Sequence, residues 1–274
     1  MLINDHFQNF KRYNIQKAQL VIADIPYNVG VNAYGSNPSW YIGGDRLKGE
    51  SHLAGTEFFD TDKNFRPPEF MHFCSKMMKK EPKEKGKSPC MIVFCEFEQQ
   101  FHLIELAKRY GINKYINLVF RKNFSAQVLK ANMRIVGNAE YALLLFRDKL
   151  PKFNNHGKMI FNIIDWEIDN KKYLYRKIHP TQKPIKLLEK LITIFTDEGD
   201  VVIDPVAGSG STLIAANNLH RKSYGFEIKK DFFKEANDWI NLCKNQVDLF
   251  APEKNKEYKQ KSLLEKLDKT SKKG

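Results

Sequence analysis

The chain has 274 residues, 42% of them apolar, and carries a formal charge of +13. That length holds one large α/β domain or two small ones with a full core, and no apolar run reaches the roughly 18 residues needed to span a bilayer. The start, Met1 to His6, does not read as a secretory leader, so the expectation is an intracellular, cytoplasmic protein with no membrane partner.

In chain order, the first strong signal is LVIADIPYN, Leu20 to Asn28, in which four apolar residues run into Asp24 and then a proline and an aromatic. Such a run suits a strand buried on both faces, and open α/β sheets present functional groups at the carboxyl ends of these strands. On this stretch alone, Asp24 reads equally as a site carboxylate or a turn cap. Residues 28–68 form a long stretch of Gly, Asn, Asp, Ser and aromatics. Helices are predicted at about 69–80, 98–110, 184–196, 210–220 and 230–244. Strands are predicted at 19–24, 89–96, 114–121, 140–147, 200–205 and 222–228, with another irregular stretch over 148–178. The alternation implies a mostly parallel sheet, and loops of that length in a compact domain are usually functional or disordered. Cys74, Cys90, Cys95 and Cys243 show no CxxC pairing, which favours reduced thiols over disulfides and gives no support for a metal.

The charge excess points to a polyanion. Lys79 to Lys87 and Lys254 to Gly274 read as solvated loop and tail. The segment Phe120 to Asn138 differs, because it interleaves Arg121, Lys122, Lys130 and Arg134 with Asn123, Ser, Gln and Phe124, a mixture suited to phosphates and base edges.

A second constellation runs from Asp200 to Ile228. A strand ends at Asp204, the turn Ala207-Gly208-Ser209-Gly210 follows, a helix opens near Ser211 and Thr212, and the next strand ends at Glu227. This is the layout of a nucleotide-binding βαβ unit, with the terminal acid placed for ribose hydroxyls. The third glycine of the dinucleotide fingerprint is replaced by Leu213. A pyrophosphate therefore fits poorly and a nucleoside without phosphate fits well, which favours S-adenosylmethionine over NAD.

Taken together, DIPYN, HPTQKP (His179 to Pro184), DPVAGSGST (Asp204 to Thr212) and GFE (Gly225 to Glu227), in this order, resemble the β-class of DNA amino-methyltransferases, which modify adenine N6 or cytosine N4. The resemblance covers about residues 1–245. It implies a Rossmann-like α/β fold dependent on S-adenosylmethionine, with a mostly parallel sheet, circularly permuted so that the catalytic motif precedes the cofactor motif. It also implies a methyltransferase domain over 1–245, variable DNA-recognition loops at about 28–68 and 148–178, and a basic tail over 246–274.

Carried over by position, the resemblance makes Asp24, Ile25, Pro26 and Tyr27 the catalytic stretch. Asp24 and the Ile25 carbonyl would hold the target amino hydrogens while Tyr27 stacks on a base flipped out of the duplex. Ile25 departs from the family, which usually has proline there. Asp204, Ala207, Gly208, Ser209, Gly210 and Thr212 would surround the methionine part of the cofactor, Glu227 its ribose and Asp5 its adenine, with Asp24 at its edge. Lys183 and Pro184 would begin the helix that closes over it. His179 reads as a structural hydrogen-bonding residue, and Phe226, Phe232 and Phe233 as core. Asn28 joins the basic segment as a DNA contact. Asp at the first motif position favours adenine over cytosine. The alternatives are cytosine N4, a Rossmann oxidoreductase, RNA or protein-amide methylation, and a DNA-binding relic. A homodimer and a restriction endonuclease partner complete the expected associations.

Overall fold

In the computed structural model, the described residues are 1–27, 65–122, 127–130, 135–166, 178 and 182–244. The strands are β1 (Leu2–Ile3), β2 (Leu20–Asp24), β3 (Cys90–Cys95), β4 (Lys114–Lys122), β5 (Gln127–Lys130), β6 (Ile135–Gly137), β7 (Ala139–Phe146), β8 (Ile163–Trp166), β9 (Val201–Asp204) and β10 (Lys222–Phe226). The helices are α1 (Pro67–Met77), α2 (Phe97–Arg109), α3 (Ile185–Phe195), α4 (Ser211–Asn218) and α5, spanning 230–244. Eight strands form one sheet in the order β1-β10-β9-β2-β3-β7-β4-β8, and β5 and β6 make a separate antiparallel pair. Within the large sheet only β7 runs against its neighbours.

The apolar runs become strands buried on both faces, as expected of a mostly parallel sheet. Along β2, Leu20 and Ile22 join the core cluster packed by α3, α4 and α5, whereas Val21 and Ala23 join the cluster packed by α1 and α2. β3 divides likewise, with Ile92 and Phe94 on one side and Met91 and Val93 on the other. Each large side chain so buried contributes about 1.5–3 kcal/mol. Cys74, Cys90 and Cys95 are buried free thiols within these layers. Among the described residues, no helix is long and apolar enough to cross a membrane.

The chain leaves β2 towards β3 on one side of the sheet and leaves β9 towards β10 on the other, so the boundary between β2 and β9 is a topological switch point. Ligands of open α/β sheets bind outside the carboxyl ends of the strands at such a point. The β2–β9 register, Leu20 with Val202 and Val21 with Ile203, brings Asp24 and Asp204 to neighbouring strand ends although they are distant in sequence.

Two elements differ from the sequence reading. The stretch 148–178 was expected to be irregular throughout, but it contains β8, which pairs in parallel with the end of β4. Four residues with every second one exposed give too little apolar signal to separate from a loop. The basic segment after Phe120 was read without internal structure, but its backbone forms the β5–β6 pair, with a register irregularity between Val128 and Lys130. Most of the loop over 28–68 and the tail over 246–274 lie outside the described residues.

Candidate active site

At the β2/β9 switch point opens a concave, mostly apolar cleft with a few polar groups, the usual form of a small-molecule site. Its walls mix apolar side chains, among them Phe7, Ile22, Leu188 and Phe232, with three carboxylates, Asp24, Asp204 and Glu227.

The β9–α4–β10 unit builds one wall. Gly208 and Gly210 both have positive φ, 50° and 76°, and Gly210 ends the turn as the residue preceding α4. A Cβ on Gly210 would also lie 2.9 Å from Ile240 Cδ1 of α5, so conformation and packing both require glycine. The missing third glycine is compensated from the opposite side. Leu213 of α4 packs over Gly225 of β10, where a Cβ would lie 2.7 Å from Leu213 Cδ1. Close helix–strand approach is thus kept by a bare strand position instead of a bare helix position.

Glu227 follows β10, and both of its carboxylate oxygens are held by backbone. Gly208 N–H donates to Oε2 at 3.0 Å and Lys229 N–H donates to Oε1 at 2.7 Å. Asn4 Nδ2 fixes the Glu227 carbonyl at 2.8 Å, tying the N-terminal strand to the same corner. Asp204 accepts from Val206 N–H at 3.1 Å. Burial pushes its carboxyl up to about 7, and the charges of Asp24 and Glu227 add to the rise against the hydrogen bonds from Thr212 and Val206. Lys183 offsets the charge of Asp24, so Asp204, once ionised beside Glu227, is the partner the cleft offers a cationic ligand.

Asp24 ends β2. Lys183 Nζ donates to its Oδ2 at 2.5 Å, while Oδ1 is buried with no hydrogen-bond partner among the described residues. Burial raises the Asp24 carboxyl and Lys183 opposes that rise. The turn after Asp24 is clamped from two directions. Ile25 N–H donates to Phe94 O at 3.2 Å, extending the β2–β3 pairing by one residue, and the Ile25 side chain is 2% exposed. Gln99, in the first turn of α2, donates from Nε2 to the Pro26 carbonyl at 2.9 Å and accepts the Glu96 N–H at 2.9 Å through Oε1. Isoleucine thus supplies a hydrogen bond that proline cannot make.

The structure brings Asp24, Ile25, Pro26, Tyr27, Lys183, Asp204, Ala207, Gly208, Ser209, Thr212 and Glu227 to this cleft. Pro184 precedes α3 as its cap, and Gly210 shapes the turn from behind. Asp5 stands apart from the cleft. Its carboxylate accepts from Asn9 Nδ2 (2.6 Å), His6 N–H (2.7 Å) and Tyr13 OH (2.8 Å), fastening the 3-10 turn over Phe7–Arg12, and the neighbouring His6 and Phe7 line the cleft in its place. Lys122 is turned inward, ion-paired with Glu140 at 2.5 Å, because the end of β4 lies against β7. Arg121 is exposed and pairs with Asp165 of β8 at 2.7 Å. Phe226 and Phe232 line the cleft as well as supporting it, in contrast to the purely core role expected of them, while Phe233 packs against the core. Lys130 lies in β5. Asn28, Asn123, Arg134 and His179 fall outside the described residues. The sequence reading missed Gln99 and Glu140. For Glu140 the one available signal was a carboxylate opening the otherwise apolar run of β7.

Strand order, switch-point cleft and strand-end carboxylates together define a Rossmann-like fold of the methyltransferase type, and a solved structure shares it. The crystal structure of the M1.HpyAVI–SAM complex aligns with a TM-score of 0.60 at 23% identity, covering 88% of this chain and 100% of that one. The chain belongs to the N6/N4 DNA methylase family, whose model matches residues 18–238. Among curated relatives, the DNA adenine methyltransferase YhdJ of Escherichia coli K12 is 25% identical over 250 residues, covering 84% of this chain and 78% of its own length. The type II methyltransferase M2.DpnII of Streptococcus pneumoniae is 38% identical over 87 residues, only 32% of either chain. The expectation of a DNA methyltransferase using S-adenosylmethionine is therefore borne out at the level of the family, and the NAD oxidoreductase alternative falls.

Proposed function

We propose that this chain methylates the exocyclic N6 of adenine in DNA, with Asp24 and the Ile25 carbonyl as the acceptors for the two amino hydrogens. The observation that carries the reading is the Asp24 carboxylate at the cleft, with Oδ2 held by Lys183, the Tyr27 hydroxyl nearby, and Oδ1 without a hydrogen bond among the described residues. An aromatic amine is a poor nucleophile because its lone pair is delocalised into the ring. Two fixed acceptors favour a pyramidal nitrogen and stabilise the charge that develops on it. Tyr27 adjoins them as a stacking surface for a flipped base. S-adenosylmethionine, when bound, supplies an electrophilic methyl group on a sulfonium. Glu227 would accept the ribose hydroxyls, and Asp204 with the Ala207–Thr212 turn would hold the cationic methionine end. Adenine is preferred over cytosine on the Asp at position 24 and on the likeness to YhdJ. Transfer of label from the cofactor to DNA, and not to RNA or protein, tests the proposal.

The proposal extends to one methyltransferase domain over about 1–245 and to DNA contacts from Asn28, Arg121, Asn123, Lys130 and Arg134. Arg121 can exchange Asp165 for a phosphate at small cost, because exposed ion pairs are worth about 0–1 kcal/mol. It extends also to a cytoplasmic setting, a homodimer that shares recognition of the DNA, and a companion restriction endonuclease, the last on the likeness to a type II methyltransferase.

Two expected results follow from the geometry. Because Asp204 titrates near pH 7 and a cation favours its ionised form, S-adenosylmethionine binds more tightly as pH rises. Apparent affinity should increase about tenfold from pH 6 to pH 8 and level off above that, and the rise in melting temperature on adding cofactor should grow in the same window. The sign for the protein alone is opposite. A buried carboxyl with a raised pKa binds its proton more tightly when folded, so stability without ligand falls between about pH 4 and 7. Affinity independent of pH would remove Asp204 from the cofactor site. For Ile25→Pro, the carbonyl survives but the bond to Phe94 and the buried side chain are lost. Stability should drop by about 1–3 kcal/mol in denaturant titrations while turnover stays within about tenfold. A silent parent made active by Ile25→Pro would mean a degenerate enzyme.

A further inference from the structure

Behind Asp24 lies a row of four charges of alternating sign, contributed by four separate segments. Lys122 of β4 pairs with Glu140 Oε1 at 2.5 Å, Glu140 Oε2 lies 3.2 Å from Lys183 Nζ as an ion-pair contact without hydrogen-bond geometry, and Lys183 reaches Asp24 Oδ2. The Lys183 side chain is 4% exposed and that of Glu140 16%. The rings of Phe94, Tyr27 and Trp166 surround the Lys183 ammonium at 5.1, 5.6 and 5.7 Å, and Trp166 also faces Lys122 at 5.3 Å.

Burying such charges costs several kcal/mol each, and apolar replacements of similar volume often do as well for stability, so a stabilising role does not account for the row. Its geometry accounts for it better. An ammonium on a flexible four-carbon stem, carrying three donors, could move across to both oxygens of Asp24. A second carboxylate in contact with the ammonium favours its staying on Oδ2 and leaves Oδ1 without a donor among the described residues. We infer that Glu140 is a positioning residue for methyl transfer, anchoring Lys183 so that one oxygen of Asp24 stays available to the target amine. Resting on the assignment of Asp24 above, this adds Glu140, a residue on a strand that does not reach the cleft, and it names Lys183 as the group through which Glu140 acts.

Kinetics of Glu140→Gln and Glu140→Asp in the full chain test it. Glu140→Gln should lower kcat about tenfold or more, with the Kd for S-adenosylmethionine and the KM for DNA within about twofold of the parent, and Glu140→Asp should recover part of the loss. The charged and titratable groups facing Asp24 are Lys183, Glu140 and Asp204, with the Tyr27 hydroxyl and Cys95 thiol kept neutral by burial. Removing the Glu140 charge eases ionisation of Asp24, so the acid limb of kcat should move to lower pH. Turnover within threefold of the parent overturns the inference, as does a kcat that falls in step with melting temperature while the acid limb stays in place. Should Glu140→Gln not fold, Glu140→Asp decides alone: reduced kcat at a parental melting temperature supports positioning, and unchanged kcat overturns it. An inactive parent would instead defeat the assignment of Asp24.

Discussion

Asp24→Ala should lower methyl transfer by at least about a hundredfold, the usual loss when a preorganised transition-state partner is removed, while cofactor affinity stays near that of the parent. The separation follows from placement. Asp24 ends β2, across the switch point from the turn and carboxylate of the β9–α4–β10 wall, so its removal leaves Gly208, Asp204 and Glu227 in place. Nor does it leave a lone buried cation, because Lys183 keeps Glu140 at 3.2 Å. Single-turnover rates measured alongside the cofactor-induced rise in melting temperature read both quantities. Turnover within threefold of the parent would move the chemistry away from β2.

Glu227 should give the converse result. Two backbone N–H groups hold its carboxylate before any ligand arrives, so it offers its remaining lone pairs at little entropic cost. Hydrogen bonds to a charged acceptor are worth about 1.5–3 kcal/mol each, so Glu227→Gln, which leaves one acceptor oxygen and a misplaced donor, should weaken S-adenosylmethionine binding about a hundredfold. At saturating cofactor its kcat should approach that of the parent. Titration calorimetry with S-adenosylmethionine checks the affinity, and an unchanged Kd would place the ribose elsewhere.

The parts of this protein that could be read in the sequence are those whose signal is local. β2, β3 and β9 were legible because strands buried on both faces need continuous apolar runs, and the turn after Asp204 because its glycines and acids sit at fixed offsets on one stretch of chain. β1 and β8 are too short for periodicity to separate them from loops. Long-range pairing was not legible at all. Lys122 looked like a phosphate contact among its basic neighbours, yet Glu140 on the adjacent strand β7 draws it inward. Asp5 looked like a cofactor ligand because of its place after the first strand, yet its oxygens accept from Asn9 and Tyr13 and it is His6 and Phe7 that line the cleft. Leu213 stood out as the missing third glycine, but that its fit depends on Gly225 of a neighbouring strand could be known only from the packing.

Nucleoside analysis by mass spectrometry, after incubation with DNA and isotope-labelled S-adenosylmethionine, tests the central claim most directly. The account predicts labelled N6-methyladenine that depends on Asp24. Labelled N4-methylcytosine in its place, or no labelled nucleoside from a protein that binds both cofactor and DNA, would contradict it.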